Sequence, residues 1–272
     1  MTQNTPEIFD WLDLSGRVCV ITGGGSGIGE GTARHFAALG AHVAVLDRNG
    51  QSAADVAASI EQGGGRAIAV EVDVASEDAV AAAADRVQKE LGPCEVLVNN
   101  AAVRQPGAII KLGLKEWNRL LSVNLTGSLI CSQVFGQQMI AAGRGGSIVN
   151  VASVMGSNPS LNNGVYSVGK AGLKMLSRVL SLELAEHGIR SNVVSPGFVR
   201  TAGNVGIYED PAVVSAREQL VPAARIGTPQ DMAQVIAFLA SDRASYVTGQ
   251  ELIVDGGLSQ TFMSRIPRGV RK

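Results

Sequence analysis

Six short runs rich in β-branched residues alternate with longer helical patterns along this chain, and that alternation narrows the folds open to it. The runs are Val18–Ile21, His42–Leu46, Ala67–Val72, Val96–Val98, Ser147–Val151 and Ser191–Val194. Between them lie amphipathic or alanine-rich segments near Ile28–Leu39, Ser52–Gln62, Ser76–Leu91, Lys115–Ala141 and Val165–Glu186. In the third segment Val80, Ala83, Ala84, Val87 and Leu91 share one helical face, with Asp85, Lys89 and Glu90 elsewhere. A repeat of strand, helix and strand calls for parallel pairing through right-handed crossovers, which builds an α/β, doubly wound parallel sheet. Composition agrees: 46% of the 272 residues are apolar and only 4% aromatic. The core must then be made of Val, Ile, Leu and Ala, the palette of strands buried on both faces. Gly40, Gly63–Gly65, Gly92 and Gly188 follow the periodic segments, where a helix ends in a left-handed residue.

No Pro/Ser-rich linker and no repeat of solenoid period divides the chain, so residues 1–272 read as a single domain. Thr201–Pro229 loses the alternation and mixes Gly203, Gly206, Pro211, Pro222 and Gly227 with short apolar pieces. It follows the last predicted strand at the carboxyl end, where open α/β sheets bind ligands. The segment at about 201–229 is therefore expected to cover a substrate.

The net charge of −1 offers no electrostatic footprint for nucleic acid or for an anionic membrane. The basic tail of Arg265, Arg268, Arg271 and Lys272 reads as solvated. Cys19, Cys94 and Cys131 are odd in number and lack CxxC spacing, which fits a reducing compartment and no disulfide framework. His35, His42 and His187 are scattered, so no metal site is expected. Glu7, Asp10 and Asp13 precede any apolar run, and no stretch approaches the roughly 18 apolar residues of a membrane span. A cytoplasmic protein is the expectation.

Chemistry enters where Val18–Thr22 runs into Gly23-Gly24-Gly25-Ser26-Gly27-Ile28-Gly29 before a helix. Glycines there allow a tight turn, close backbone approach to a pyrophosphate, and packing of helix on strand. The helix start adds unpaired N–H groups and partial positive charge for phosphates. Asp47 ends the next strand 18 positions beyond Gly29, close to the roughly 20 at which a carboxylate meets the adenosine ribose. Such a carboxylate accepts from both ribose hydroxyls and repels a 2′-phosphate, so NAD is the expected cofactor. Arg48 is the contrary signal, since it could pair with a 2′-phosphate; otherwise it is solvated or stacked on adenine. Asp73 suits the adenine amino group, or equally an N-cap for the helix beginning near Ser76.

Tyr166 and Lys170 lie one helical turn apart on one face. A phenol with a free pKa near ~10 is a poor base at neutral pH, and an adjacent ammonium favours its phenolate. Ser153 follows the apolar run Ile148–Val151, at a strand's carboxyl end, and Asn124 sits mid-helix, where a poor helix former needs a reason.

Taken together, these residues make the chain resemble the short-chain dehydrogenase/reductase family, from about Leu14 to Ser259. Thr22-Gly23-x-x-x-Gly27-x-Gly29 matches the family's nucleotide turn, with Gly25, Ser26 and Ile28 inside it, and Asp73 with Val74 matches the adenine contact. Asn99-Asn100-Ala101 matches the motif after the fourth strand, and Asn124, Ser153, Tyr166 and Lys170 match the four catalytic positions. Pro196-Gly197-Phe198-Val199-Arg200-Thr201 matches the segment that holds the nicotinamide carboxamide. One departure is visible: Ala102 stands where the family usually has glycine. The resemblance implies hydride transfer between NAD(H) and a secondary alcohol or ketone. Tyr166 would act as acid/base and Ser153 would hold the substrate oxygen. Lys170 would bond the nicotinamide ribose, and Asn124 would hold a relay water. It also implies a homotetramer, which the apolar character of Leu173, Met175, Leu176, Val179, Leu180, Leu182 and Leu184 favours. Two other readings stay open: an NADPH-dependent 3-oxoacyl-carrier-protein reductase, and a non-catalytic NAD-sensing regulator. Arg104 is read either as a solvated surface residue or as a fork for an anionic group on the substrate.

Overall fold

The computed structural model describes residues 12–261; the basic tail and the first acidic residues lie outside the described residues. In chain order the strands and helices are β1 (Val18–Thr22), α1 (Gly27–Ala38), β2 (His42–Asp47), α2 (Gly50–Gln62), β3 (Arg66–Glu71), α3 (Glu77–Glu90) and β4 (Val96–Asn99). There follow α4 (Leu114–Leu121), α5 (Gly127–Ala142), β5 (Gly146–Val151), α6 (Gly164–Glu183), β6 (Ile189–Pro196), α7 (Pro211–Leu220), α8 (Pro229–Ala240) and β7 (Glu251–Val254). The strands form one seven-stranded sheet in the order β3-β2-β1-β4-β5-β6-β7, with parallel pairing throughout. This is the Rossmann-like, doubly wound sheet that the alternation predicts.

Both sheet faces are covered, and the alternate residues of β1 divide between them. Cys19 and Ile21 join the core beneath α1 and α8, with Phe36, Val43 and Ile236. Val18 and Val20 join the core beneath α3 and α5, with Val87, Phe135 and Met139. Burying every position of β1 explains why that run is apolar without alternation. Helix starts follow local side-chain chemistry. Asn49 accepts from the Ser52 amide at 3.2 Å, and Ser76 accepts from the Ala79 amide at 3.3 Å. Thr228 and Asp231 form a capping box around Pro229 at the start of α8.

Three expectations need adjustment. The last helix and strand, α8 and β7, extend the alternation past Val194; the short, half-exposed run Glu251–Val254 carries too weak an apolar signal to declare itself. Lys115–Ala141 is two helices joined by a π-helical stretch at Ser122–Thr126. Thr201–Pro229 is structured, with a 3₁₀ segment at Ala202–Tyr208 followed by α7. Of the helix-ending glycines, Gly40, Gly64, Gly92 and Gly188 are left-handed, and Gly63 is not.

A buried ion pair fastens the edge strand to the body. Lys174 of α6 meets Glu251 of β7 at 2.5 Å, with side chains only 8% and 17% exposed, and donates to the Ser157 hydroxyl at 2.8 Å. Removing one partner strands the other charge in a poor solvent. Glu251→Gln is expected to lower unfolding stability by about 3 kcal/mol, read as a fall in urea midpoint at constant slope. A loss below about 0.5 kcal/mol, the size of an exposed pair, would show that the pair is solvated.

Candidate active site

Strand order reverses between β1 and β4, and at that switch point the strand ends diverge into a cleft. The turn after β1 forms its floor. Gly23 and Gly27 have φ of +62° and +57°, a conformation that a Cβ penalises. At Gly27 a Cβ would also approach the Thr201 side chain to 3.2 Å, and at Gly29 it would sit 2.0 Å from the Gly23 carbonyl. Thus Gly27 keeps the cleft open, while Gly29 lets α1 pack under the turn.

Asn100 and Thr22 fasten the turn to β4. The Asn100 amide group donates to the carbonyls of Thr22 and Gly23, both at 3.0 Å. The Thr22 hydroxyl accepts from the backbone amides of Asn100 and Ala101 at 3.0 and 3.1 Å. Asp47 fixes the other wall: its carboxylate accepts from the Gly25 amide at 3.0 Å and the Asn49 amide at 2.9 Å. Asp73 accepts from the Ala75 amide at 3.0 Å. It is not the cap of α3, since Ser76 fills that position.

The expected cofactor residues Gly23, Ser26, Gly27, Ile28, Asp47, Arg48, Asp73, Val74, Asn100, Ala101 and Thr201 all line this half of the cleft. Gly25 and Gly29 stand behind it as supports. Val103 and Val123 also line it; no sequence signal distinguished them from ordinary core valines. The walls therefore fit a dinucleotide: a glycine turn at a helix start, a carboxylate at the second strand's end, and apolar flanks at Val74 and Val123.

The cleft continues toward β5 and α6, through Ile28, Asn100, Ala102, Val103, Thr201 and Gly203. Ser153, Tyr166, Lys170, Pro196, Gly197 and Val199 line this second half. Ser153 follows β5 and is buried; its hydroxyl accepts from the Met155 amide at 3.1 Å, and hydrogen bonding from this side chain opposes the upward shift of the Tyr166 phenol. Lys170 is fully buried; its Nζ donates to the Val151 carbonyl at 2.7 Å and lies 5.7 Å from the centre of the Tyr166 ring. Burial pulls the ammonium down to about 8. Burial also pushes the Tyr166 phenol up, against the opposing pull of the Ser153 hydrogen bond and the Arg104 charge.

Asn124 lines neither half. It sits in the π-helical stretch, and its side chain donates to the Val103 carbonyl and accepts from the Val103 amide, both at 2.8 Å. The widened helical turn gives this poor helix former its place: it ties the loop after β4 to the helix layer. The side chain is thus committed to Val103.

Arg104 occupies a position compatible with both of its sequence readings. It is exposed, yet it stands at the cleft, with Nε donating to Asn163 at 2.9 Å and the guanidinium 5.8 Å from the Tyr166 ring centre. Asn163, Tyr208 and Arg217 belong to this neighbourhood too, and none was marked by a motif.

Comparison with known proteins bears directly on this geometry. A family model described as enoyl-(acyl carrier protein) reductase matches residues 23–259. The cis-4-hydroxycyclohexanecarboxylate dehydrogenase of Sinomonas cyclohexanicum is 42% identical over 242 residues, covering 89% of this chain and 96% of the relative. The 3beta-hydroxysteroid dehydrogenase 1 of Eggerthella lenta is 37% identical over 248 residues, covering 91% and 95%. The crystal structure of a gluconate 5-dehydrogenase from Burkholderia cenocepacia, in complex with NADP and tartrate, superposes with a TM-score of 0.87 at 33% identity, covering 92% and 98%.

The chain is a short-chain dehydrogenase/reductase.

As a member of that family it is an oxidoreductase that uses a nicotinamide cofactor. Its Ala102 carries no backbone penalty, because among the described non-glycine residues only Asn162 and Ala224 have positive φ. No described helix is long and apolar enough to cross a membrane, and no metal-holding cluster occurs among the described residues.

Proposed function

We propose that this enzyme oxidises a secondary alcohol, or reduces the ketone, with NAD(H) as cofactor and Tyr166 as the acid/base. The observation that carries the reading is the stack of Ser153, Tyr166 and Lys170 beside a cleft that fits a dinucleotide. A bound nicotinamide supplies hydride chemistry, which none of the twenty side chains provides. Everything else falls to the chain. Ser153 holds the substrate oxygen against the phenol. Tyr166 takes the hydroxyl proton in oxidation and returns it in reduction. Lys170, an ammonium under the ring, favours the phenolate that burial disfavours, and its remaining N–H groups would hold the ribose of a bound nicotinamide. Asn124 holds Val103, and with it the loop that separates the two halves of the cleft. Pro196, Gly197, Val199 and Thr201 supply backbone and hydroxyl groups for the carboxamide, and the 201–229 segment covers the substrate.

NAD is proposed over NADP because the Asp47 carboxylate lines the cleft wall where an adenosine ribose would lie. A 2′-phosphate there would meet a fixed negative charge, with only the exposed Arg48 to offset it. The Burkholderia relative holds NADP, so the choice rests on this chain's own residues. A homotetramer is proposed because α6 turns Val168, Met175, Val179 and Leu182 outward, the last 80% exposed.

Three outcomes test these assignments. Tyr166→Phe is expected to cut turnover by ~10²–10⁴ and leave NADH affinity, measured by fluorescence titration, within twofold; a variant keeping a tenth of the activity would remove Tyr166 from the chemistry. Wild type is expected to bind NADH more tightly than NADPH, and Asp47→Ser to narrow or reverse the ratio; a wild type that already prefers NADPH contradicts the assignment. Light scattering should give about four times the chain mass of 28.1 kDa, and the monomer mass would refute assembly through α6.

A further inference from the structure

The half of the cleft beside Tyr166 carries three charged side chains, Arg104, Lys170 and Arg217, and all are cations. No carboxylate lines it; Glu209, Asp210 and Glu218 of the neighbouring segment lie off it. Lys170 is engaged with Val151 beneath the ring. Neither arginine forms an ion pair among the described residues. In a chain of net charge −1, an unneutralised cationic cleft is a local departure that raises the concentration of anions at its mouth.

Arg217 is held in a particular way. It reaches the cleft from α7, with its guanidinium 4.8 Å from the Phe198 ring centre and 5.0 Å from that of Tyr208. Arg200 braces Tyr208 in turn, donating to its carbonyl at 2.9 Å and lying 5.5 Å from its ring centre. Stacking engages the plane of a guanidinium and leaves its edge N–H groups available as a ready fork. On the opposite side Arg104 is tethered through Nε to Asn163, which leaves its terminal nitrogens directed to other acceptors.

We propose that the substrate is a hydroxycarboxylate, with its carboxylate on the Arg217 fork and its hydroxyl on Ser153 and Tyr166. Arg104 adds positive charge on the Tyr166 side. The inference rests on the dehydrogenase reading above and gives that site a substrate class; the product is the matching oxocarboxylate, by the same two-electron oxidation. A carboxylate fits better than a phosphate ester, since the remaining wall at Pro106, Val154, Met155 and Ile207 is apolar and offers a dianion no cradle of N–H groups.

The test pairs 4-hydroxycyclohexanecarboxylate with its neutral amide as substrates, and cyclohexanecarboxylate as an unreactive ligand for the NADH-bound enzyme. Wild type is expected to prefer acid over amide in kcat/KM by about 10- to 100-fold, the range of a charged hydrogen bond. Arg217→Met should collapse that preference through KM, and weaken cyclohexanecarboxylate binding by a similar factor. Arg217→Lys should restore part of both, since it keeps the charge and loses the fork. A purely structural Arg217 would lower both substrates alike and would not be rescued by lysine; that result overturns the proposal. So does equal use of acid and amide, preference for a phosphate ester, or cyclohexanecarboxylate binding that ignores Arg217. If the amide is still oxidised in a Tyr166-dependent way, the dehydrogenase reading survives that failure. Should neither substrate turn over while cyclohexanecarboxylate binding still depends on Arg217, the anion site stands and the dehydrogenase reading falls.

Discussion

A lysine ammonium buried beneath a tyrosine ring is the constraint around which the rest of this molecule is arranged. Among the described residues Lys170 has no carboxylate partner, and its Nζ donates to the Val151 carbonyl at 2.7 Å. With its pKa drawn from 10.5 to about 8, the native state binds fewer protons than the unfolded chain between those values. The sign follows: the burden of charging Lys170 is full below pH 8 and is relieved as pH rises toward 10.5, where both states are neutral. That burden is on the order of 3 kcal/mol, a sizeable part of the net stability of a single domain. That charge lies 5.7 Å from the centre of the Tyr166 ring, where the proposed chemistry would use it.

The sheet makes that placement affordable. Val151 ends β5 two residues before Ser153, and α6 packs against β6 and β5 with Tyr166 and Lys170 lining the cleft at the strand ends. Because β5 and β6 are buried on both faces, this geometry is fixed by packing and not by the loops around it. The cofactor half of the cleft rests on the same plan one strand away, where Asn100 and Thr22 bind the glycine turn to β4. Asn124 joins the halves by clamping Val103. The segments after β4 and β6 bring Arg104 and Arg217 to the cleft.

Much of this was legible in the sequence, for identifiable reasons. β1, β2 and β4 announce themselves because burial on both faces favours unbroken apolar runs, and the glycine turn does so because a Cβ would not fit its approaches. Glu251–Val254 was illegible because an edge strand is half exposed and need not be apolar. The π-helical stretch was hidden because the residues Ser122–Thr126 carry no type signature that separates a widened turn from ordinary helix. Tyr166 and Lys170 share a common helical spacing, and they stood out through the family resemblance that Ser153, Asn124 and the glycine turn complete. The partners that shape their surroundings, Asn163 on Arg104 and Phe198 and Tyr208 on Arg217, come from other segments, and no spacing rule links them. Asn124 was singled out as a poor helix former, yet its bond to Val103 belongs to the tertiary structure alone.

We propose that the buried Lys170 charge, beside the Ser153 hydrogen bond and the Arg104 charge, makes the Tyr166 phenol a usable base. It is tested by following tyrosinate absorbance against pH with NAD bound. Subtracting the Tyr166→Phe protein removes the signals of Tyr208 and Tyr246, the other two tyrosines. The titration midpoint of Tyr166 should rise by at least one pH unit in Lys170→Met, as expected when a cation within about 6 Å is lost. An unchanged midpoint would mean that the buried ammonium does not set the phenol's acidity, and the account built on it would fail.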